Sequence, residues 1–395
     1  LIDIKPAYVL EKKQERTNLS VNIFSLVENI KQEIIQNRPV LLIYPTCRTL
    51  EKHQLILENY FLPRLIQPLH GKLPHREHIK IQEGLQHGQA AIFLITRAYL
   101  KYYLRRSNLP ESLQQILLLW QDDIDDLEIN NAIKGKHTQL IKKESLPSNL
   151  RWLNQSWQYD NAGRVLIYAN RNQTVNSLVS RMANITVEAG VKDKKQRKAV
   201  RRKFTGAKNG VLLLDGGYVG GGYTLDNIDE LVFADVPFSI YETLSIIDQI
   251  AAAQEVPISA LFTEGDITSN RAFLNRLYPH LELIKSVLTY FIRTGKKSIT
   301  TDVKQLVHSI EKSISQEFKI FDLLPVLHIL VDLGLFQVKK KGSIIEIKFV
   351  NIKNPVLNIS DSPYYLEGLV EKAAFVEWEN AIKNSWYGDE HDISS

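Results

Sequence analysis

Three groupings of side chains in this sequence could do chemistry. The run Leu117–Asp125 (LLLWQDDID) ends in Asp122, Asp123 and Asp125. Clustered carboxylates could hold Mg²⁺, or could form a solvated acidic loop. His70, His75 and His78 lie close together, but His75 and His78 flank Arg76 and Glu77 at an expected helix start, which reads as an exposed helix end rather than a metal site. The third grouping is Lys192–Lys203 (KDKKQRKAVRRK), with eight basic residues and one Asp. The formal net charge of the whole chain is only +5, so this one segment makes the protein basic. Such a concentration is the electrostatic footprint of a polyanion contact, with a solvated helix face as the alternative.

Other catalytic patterns are missing from the sequence. There is no H-E-x-x-H, no G-x-S-x-G, no D-H-H and no G-x-x-x-x-G-K-[ST]. The single cysteine, Cys47, can form no intramolecular disulfide and cannot supply a multi-cysteine zinc site, which fits a reducing cytoplasm. No apolar run approaches the length of a membrane helix, so no membrane partner is expected. The first residue is Leu and the only methionine is Met182, which suggests a piece of a longer protein.

The elements that must position these groups follow from hydrophobic patterning. With 395 residues, 44% hydrophobic and 24% charged, the chain can build two to four globular domains. Short apolar runs at Arg38–Thr46, Leu65–His70, Ala90–Thr96 and Leu113–Trp120 alternate with helical stretches at Leu50–Tyr60 and Pro74–His87. Alternation of this kind predicts a parallel α/β sheet. A linker is expected over Asn130–Gln158. The pattern then restarts at Arg164–Asn170, Gly210–Gly217, Glu230–Pro237 and Ile258–Gly265. Beyond Asp266 three helices (Leu281–Arg293, Thr301–Ile314, Phe318–Leu333) precede a hairpin tipped by Lys339, Lys340 and Lys341, the order of a winged helix. The segment after Lys353 reads as a mixed tail.

The first unit resembles the first lobe of superfamily-two helicases of the PriA-like type. The resemblance is carried by YPTCRTLEKHQ (Tyr44–Gln54), by Leu69–Leu100, whose H-G-x-L and I-T-R features match, and by LLLWQDDID. GGGYTLDNIDELVFADVP resembles the corresponding stretch of the second lobe. The departures bear on chemistry. The slot for a phosphate loop, Glu15–Val27, contains no Gly, and the slot for the arginine-bearing motif, Ser245–Glu255, contains no Arg. Gly221 and Thr224 replace an Arg and an Asp. An arginine finger alone is worth about 10³–10⁵ in rate, so an ATPase fold without its ATPase is expected.

The last two hundred residues resemble the C-terminal region of Gram-positive-type RecJ, the single-strand-specific 5′→3′ exonuclease. Val232–Pro237, Pro279–Tyr290, Leu327–Leu335 and Ser360–Tyr364 match that family's order of motifs. The family's two-metal catalytic centre has no counterpart here, so Mn²⁺ or Mg²⁺ is expected only in an absent nuclease core, with no cofactor in this chain. The resemblances imply two RecA-like parallel-sheet lobes (1–150 and 151–266) and a winged-helix-like α+β domain (267–395). They imply a non-catalytic accessory region that binds or steers single-stranded DNA in repair and recombination. The expected DNA contacts are Thr46, Arg48, Thr96, Arg97 and the Gly216–Gly222 loop, the basic segment (Lys192, Lys194, Lys195, Arg197, Lys198, Arg201, Arg202), and Lys339–Lys341. Tyr99, Tyr102 and Tyr103 could stack bases or pack in the core. Two alternatives stand: a divergent helicase whose phosphate loop lies upstream, and a scaffold for single-strand-binding protein or another repair factor.

Overall fold

Runs of Val, Ile and Leu too short for helices and buried on both faces form the centre of two parallel sheets. The fold is that of a computed structural model. It describes residues 19–388 apart from 88–91, 114, 121–125, 142–145, 147–149, 153–156, 158, 160–162, 183–184, 190, 192–193, 215–224, 248–249, 251–255 and 351–357. The first unit starts with helix α1 (Leu19–Ile35), then β1 (Val40–Tyr44), α2 (Cys47–Leu57), β2 (Ile66–Leu69), α3 (His75–His87), β3 (Ile92–Thr96), α4 (Arg97–Leu104), β4 (Gln115–Trp120), α5 (Leu127–Ile133) and β5 (His137–Ile141). Its sheet runs β2-β3-β1-β4-β5 with every pair parallel. Strand alternation divides the core. Val40, Leu42, Tyr44, Ile92 and Leu94 pack with α1 and α2, whereas Leu41, Ile43, Phe93 and Ile95 pack with α3, α4 and α5.

The second unit is β6 (Leu150–Trp152), β7 (Arg164–Tyr168), α6 (Asn172–Arg181), β8 (Ile185–Val187), α7 (Lys194–Thr205), β9 (Gly210–Leu214), β10 (Glu230–Phe233), α8 (Ile240–Ile247) and β11 (Ile258–Ala260). Its six strands run β6-β11-β10-β7-β9-β8, again parallel. The segment expected to be a linker, Asn130–Gln158, is therefore structured in part. It supplies β5 to the edge of one sheet and β6 to the edge of the other. Its polar residues disguise this, because an edge strand needs only one buried side.

The remaining elements are α9 (Glu264–Leu277), α10 (Leu281–Arg293), β12 (Ser298–Asp302), α11 (Val303–Ile314), α12 (Ile320–Asp332), β13 (Phe336–Lys341), β14 (Ile344–Phe349) and α13 (Pro363–Gly388). The three strands make an antiparallel sheet in the order β12-β14-β13. A single core joins this part to one face of the second sheet, running from Leu166 and Phe233 through Phe262 and Ile267 to Leu327 and Trp378.

The mixed tail expected after Lys353 is instead largely the 26-residue helix α13. It packs against α4 of the first unit, α8 of the second, and α9 and α12. Phe375, Trp378 and Ile382 are fully buried along it. Its exposed positions include the apolar Leu369, Ala373 and Val376 while Glu367 and Glu371 are buried, so its sequence lacks the amphipathic signature of a surface helix.

Candidate nucleic-acid interface

Parallel strands end in loops at one edge of the sheet, and ligands of open α/β sheets bind along that edge. In the first unit, β2, β3 and β1 are adjacent, so their carboxyl ends form a row about 10 Å long. After β1, Thr46 caps α2, its hydroxyl accepting the Thr49 N–H at 3.2 Å. After β3, Thr96 caps α4 in the same way, accepting from Tyr99 N–H at 3.3 Å. His70, Gly71 and Lys72 follow β2.

The start of α13 lies across this row. The Thr96 hydroxyl donates to Glu367, and the Gly71 N–H donates to the same Glu367 Oε1 at 3.1 Å. The Arg48 N–H donates to Glu371 at 3.2 Å, and Arg48 Nε stands 3.8 Å from the other Glu371 oxygen. The Arg48 guanidinium also covers the Phe238 ring at 3.8 Å. Glu367 and Glu371 are 0% and 2% exposed. Burial pushes the Glu367 carboxyl up to about 7, against the pull of the Thr96 hydroxyl and the Gly71 N–H. The fit is tight: a Cβ on Gly71 would stand 2.3 Å from the Pro363 carbonyl oxygen.

Below this row the two units are joined directly. The Lys52 ammonium of α2 donates to Glu242 of α8 at 2.5 Å, and Tyr168 Oη and the Phe238 N–H complete the carboxylate's shell at 3.0 and 2.8 Å. Burial would raise Glu242, but Lys52 and Arg48 outweigh it and hold the carboxyl below its usual range. Within the second unit, Asp235 fixes the loop after β7 by accepting from Asn170 N–H, Arg171 N–H and the Thr174 hydroxyl.

The expected contact residues divide sharply. Thr46 and Thr96 are buried caps, Arg48 is held by Glu371, and Arg97 is half-buried at the first position of α4. Arg201 is 8% exposed and binds Glu188 through two hydrogen bonds of 2.6 and 2.8 Å, so it braces α7 against β8 rather than facing outward. Arg202 beside it is exposed, and Arg197 is half-buried. Lys194, Lys195 and Lys198 are positions on the first turns of α7, while Lys192 lies outside the described residues. Asp122, Asp123, Asp125 and the Gly216–Gly222 loop also lie outside them. Tyr99 and Tyr103 are core residues at 0% and 2% exposure, which removes them as base-stacking platforms; Tyr102 lies under the Arg106 guanidinium at 3.9 Å. His70 and His78 are buried, with His78 Nε2 3.0 Å from the His70 carbonyl oxygen, and burial pushes His70 down to about 3. Among the described residues no cluster of three metal-ligating side chains forms, and no helix is long and apolar enough to cross a membrane.

Lys339, Lys340 and Lys341 are exposed at the end of β13. The antiparallel register sets Lys339 beside Glu346 and Thr300, Gln337 beside Lys348 and Ser298, and Lys341 beside Ile344. Directly opposed residues share a face. Lys339, Lys341 and Lys348 therefore stand on the outer face of this sheet with Ser298 and Thr300, and Lys340 points the other way. Lys296 and Lys297 lead into β12 and are exposed as well. Sequence reading missed Lys348, and also missed Glu367, Glu371 and Gly71. The signal for the two glutamates was present: Glu367, Glu371, Phe375, Trp378 and Ile382 recur at helical spacing, which runs acidic residues into an apolar stripe.

No family model matches the chain, and no curated protein matches it. Among solved structures it is similar to the Mycobacterium smegmatis helicase Lhr bound to ssDNA and AMP-PNP, with 10% identity, TM-score 0.31, and coverage of 78% of this chain and 52% of that one. It is also similar to a hypothetical ATP-dependent RNA helicase from Sulfolobus tokodaii (12% identity, TM-score 0.29, 64% and 86% covered). A third is the yeast DEAD-box splicing factor Prp28 (13% identity, TM-score 0.26, 67% and 74% covered). The chain spans about half the length of the Lhr chain it matches. The likeness is coarse, and the functional reading below rests on the residues of this chain.

Proposed function

We propose that this chain is a nucleic-acid-handling module built on two RecA-like lobes without a working ATP site, and that it holds single-stranded DNA by its phosphate backbone. The observation that carries the reading is the outer face of the β12–β14–β13 sheet. Around the one carboxylate of Glu346, it gathers the ammonium groups of Lys339, Lys341 and Lys348 with the hydroxyls of Ser298 and Thr300, groups that bind phosphate without reading sequence. The helix–strand–helix–helix–strand–strand order from α10 to β14 supports a winged-helix reading of this part. Its third helix, α12, is the one such domains would offer to a duplex. Here it is enclosed by α9, α10, α11 and α13 and shows only Phe321, Leu324 and part of His328 among its central positions. The hairpin and outer sheet face are therefore the binding surface, with Arg202 of α7 as a second basic contact.

The biological setting we favour is the accessory region of a RecJ-like single-strand exonuclease, supported by the order of motifs from Val232 to Tyr364. Such a region needs no metal or nucleotide of its own. The test is fluorescence anisotropy of labelled oligo-dT with the intact chain. Changing Lys339, Lys341 and Lys348 together to Ala should weaken binding at least tenfold. It should also flatten the salt dependence, by about 0.7 in log–log slope for each phosphate that is no longer neutralised. Equal affinity and equal slope in the triple variant would refute the assignment of this face.

A further inference from the structure

We propose that the strand-end edge of the first lobe is a second site for phosphodiester backbone, and that α13 holds it shut with two carboxylates standing where phosphates would lie. The inference rests on the nucleic-acid reading above and adds the site's location and its regulation. Donors from three neighbouring strand ends, the Arg48 N–H and guanidinium, the Gly71 N–H and the Thr96 hydroxyl, converge on Glu367 and Glu371. Backbone amides, hydroxyl and guanidinium are the groups that take up phosphate oxygens without regard to sequence. Lys72 adds an ammonium to the same edge, 3.9 Å from Glu51 and facing the Tyr278 ring. The two acceptors are one helical turn apart, about 5–6 Å between their Cβ atoms, and so form a regular pair of carboxyl groups along a rod.

A purely structural helix has little use for this arrangement. Burying a carboxylate is expensive, and apolar side chains of similar volume would join α4 to α13 at lower cost. Glu367 Oε2 is also left buried without a hydrogen-bond partner. The carboxylates sit where they do because the edge beneath them is an anion site. Further along, α13 is anchored by aromatic groups, with Phe375 packed against Phe238, Trp378 against Phe262, and the Trp378 N–H donating to Thr243. Opening lifts the first two turns, residues 363–371, and must also break the 2.8 Å bond from the Tyr364 hydroxyl to the Leu277 carbonyl and the Tyr364–Tyr278 ring contact, while the second half stays docked.

The experiment uses the intact chain, labelled oligo-dT and hydrogen exchange read by mass spectrometry. In the wild type, saturating oligo-dT should speed exchange in residues 363–371 and slow it in residues 69–73. The double variant E367Q/E371Q should bind oligo-dT at least tenfold tighter than the wild type, and adding Lys72→Met should cancel that gain. Two results would overturn the proposal. In one, the wild type binds oligo-dT with residues 363–371 as protected as in the free chain. In the other, the double variant shows faster exchange in 363–371 but no tighter binding. If those results come with binding that the triple Lys variant weakens, the nucleic-acid reading stands and only the masked edge is wrong. If neither chain binds oligo-dT at low salt, both readings fail.

Discussion

Replacing Glu367 with Gln should change how stability depends on pH, in a direction and size that follow from its site. In the fold the carboxyl is pushed by burial from 4.5 to about 7. Between those values the folded chain keeps a proton that the unfolded chain releases. The contribution of Glu367 is thus fully present below the unfolded value and is lost as pH rises through about 7. At about 1.4 kcal/mol per pH unit the full loss is about 3 kcal/mol. The glutamine carboxamide has no charge to bury. Its oxygen can accept the Gly71 N–H and the Thr96 hydroxyl, but its amide group falls where Oε2 has no partner, a cost of about 1–3 kcal/mol at every pH. The stability difference between variant and wild type should therefore move by about 3 kcal/mol in favour of the variant from pH 5 to pH 8. Other titrating groups cancel in that difference. Burial also pushes Asp332 up to about 7, while His53 and His70 are pushed down to about 4 and about 3 and act in the opposite sense, but all three are common to both chains. Urea unfolding of the two proteins at pH 5, 6, 7 and 8 measures it. Parallel stability curves would show that Glu367 is not held in a charge-averse site, and the reasoning about the α13 contact would fail with it.

Three further outcomes follow from the same geometry. Lys52→Met leaves the buried Glu242 without its ammonium and should destabilise the chain by about 3 kcal/mol, part of which E242Q in the same chain should restore; chemical denaturation of the single and double variants checks this. The favourable contribution of Glu242 is present above its unfolded value of 4.5 and is lost as pH falls through its depressed folded value, so the Lys52 effect should shrink in acid. Gly71→Ala would drive a Cβ to within 2.3 Å of backbone at Pro363, so α13 must shift; about 1–3 kcal/mol of lost stability and faster amide exchange in residues 363–371 are expected. Trp378→Ala empties a fully buried site between α8, Phe262 and α13 and removes the N–H donor to the Thr243 hydroxyl, which keeps its own bond to the Ser239 carbonyl, at a cost of about 3–5 kcal/mol by thermal or urea unfolding.

The sequence by itself determined the inner strands of both sheets and several of the helices between them. A run such as VLLIY at Val40–Tyr44 has only one economical place, buried on both faces of a parallel sheet, and Thr46 and Thr96 announce the helices they cap. It also determined the hairpin of β13 and β14, because alternating Ile345, Ile347 and Phe349 leave Lys348 and Glu346 on the other face. The edge strands β5 and β6 were hidden, since each needs little apolar surface to join a sheet that others have built. Which donors face solvent was beyond local pattern. Arg201 and Arg202 are neighbours in one basic run, yet one is locked to Glu188 and the other is exposed, a choice made by the packing of α7 on β8. Arg48 and Thr96 looked like open phosphate contacts because nothing nearby in the chain takes up the Arg48 guanidinium or the Thr96 hydroxyl proton. Their partners lie about three hundred residues away, on a helix that buries glutamates and exposes Leu369 and Val376, so its hydrophobic pattern does not mark the side that docks. Long-range pairing of charge depends on where the whole chain returns to, and only the tertiary structure decides that.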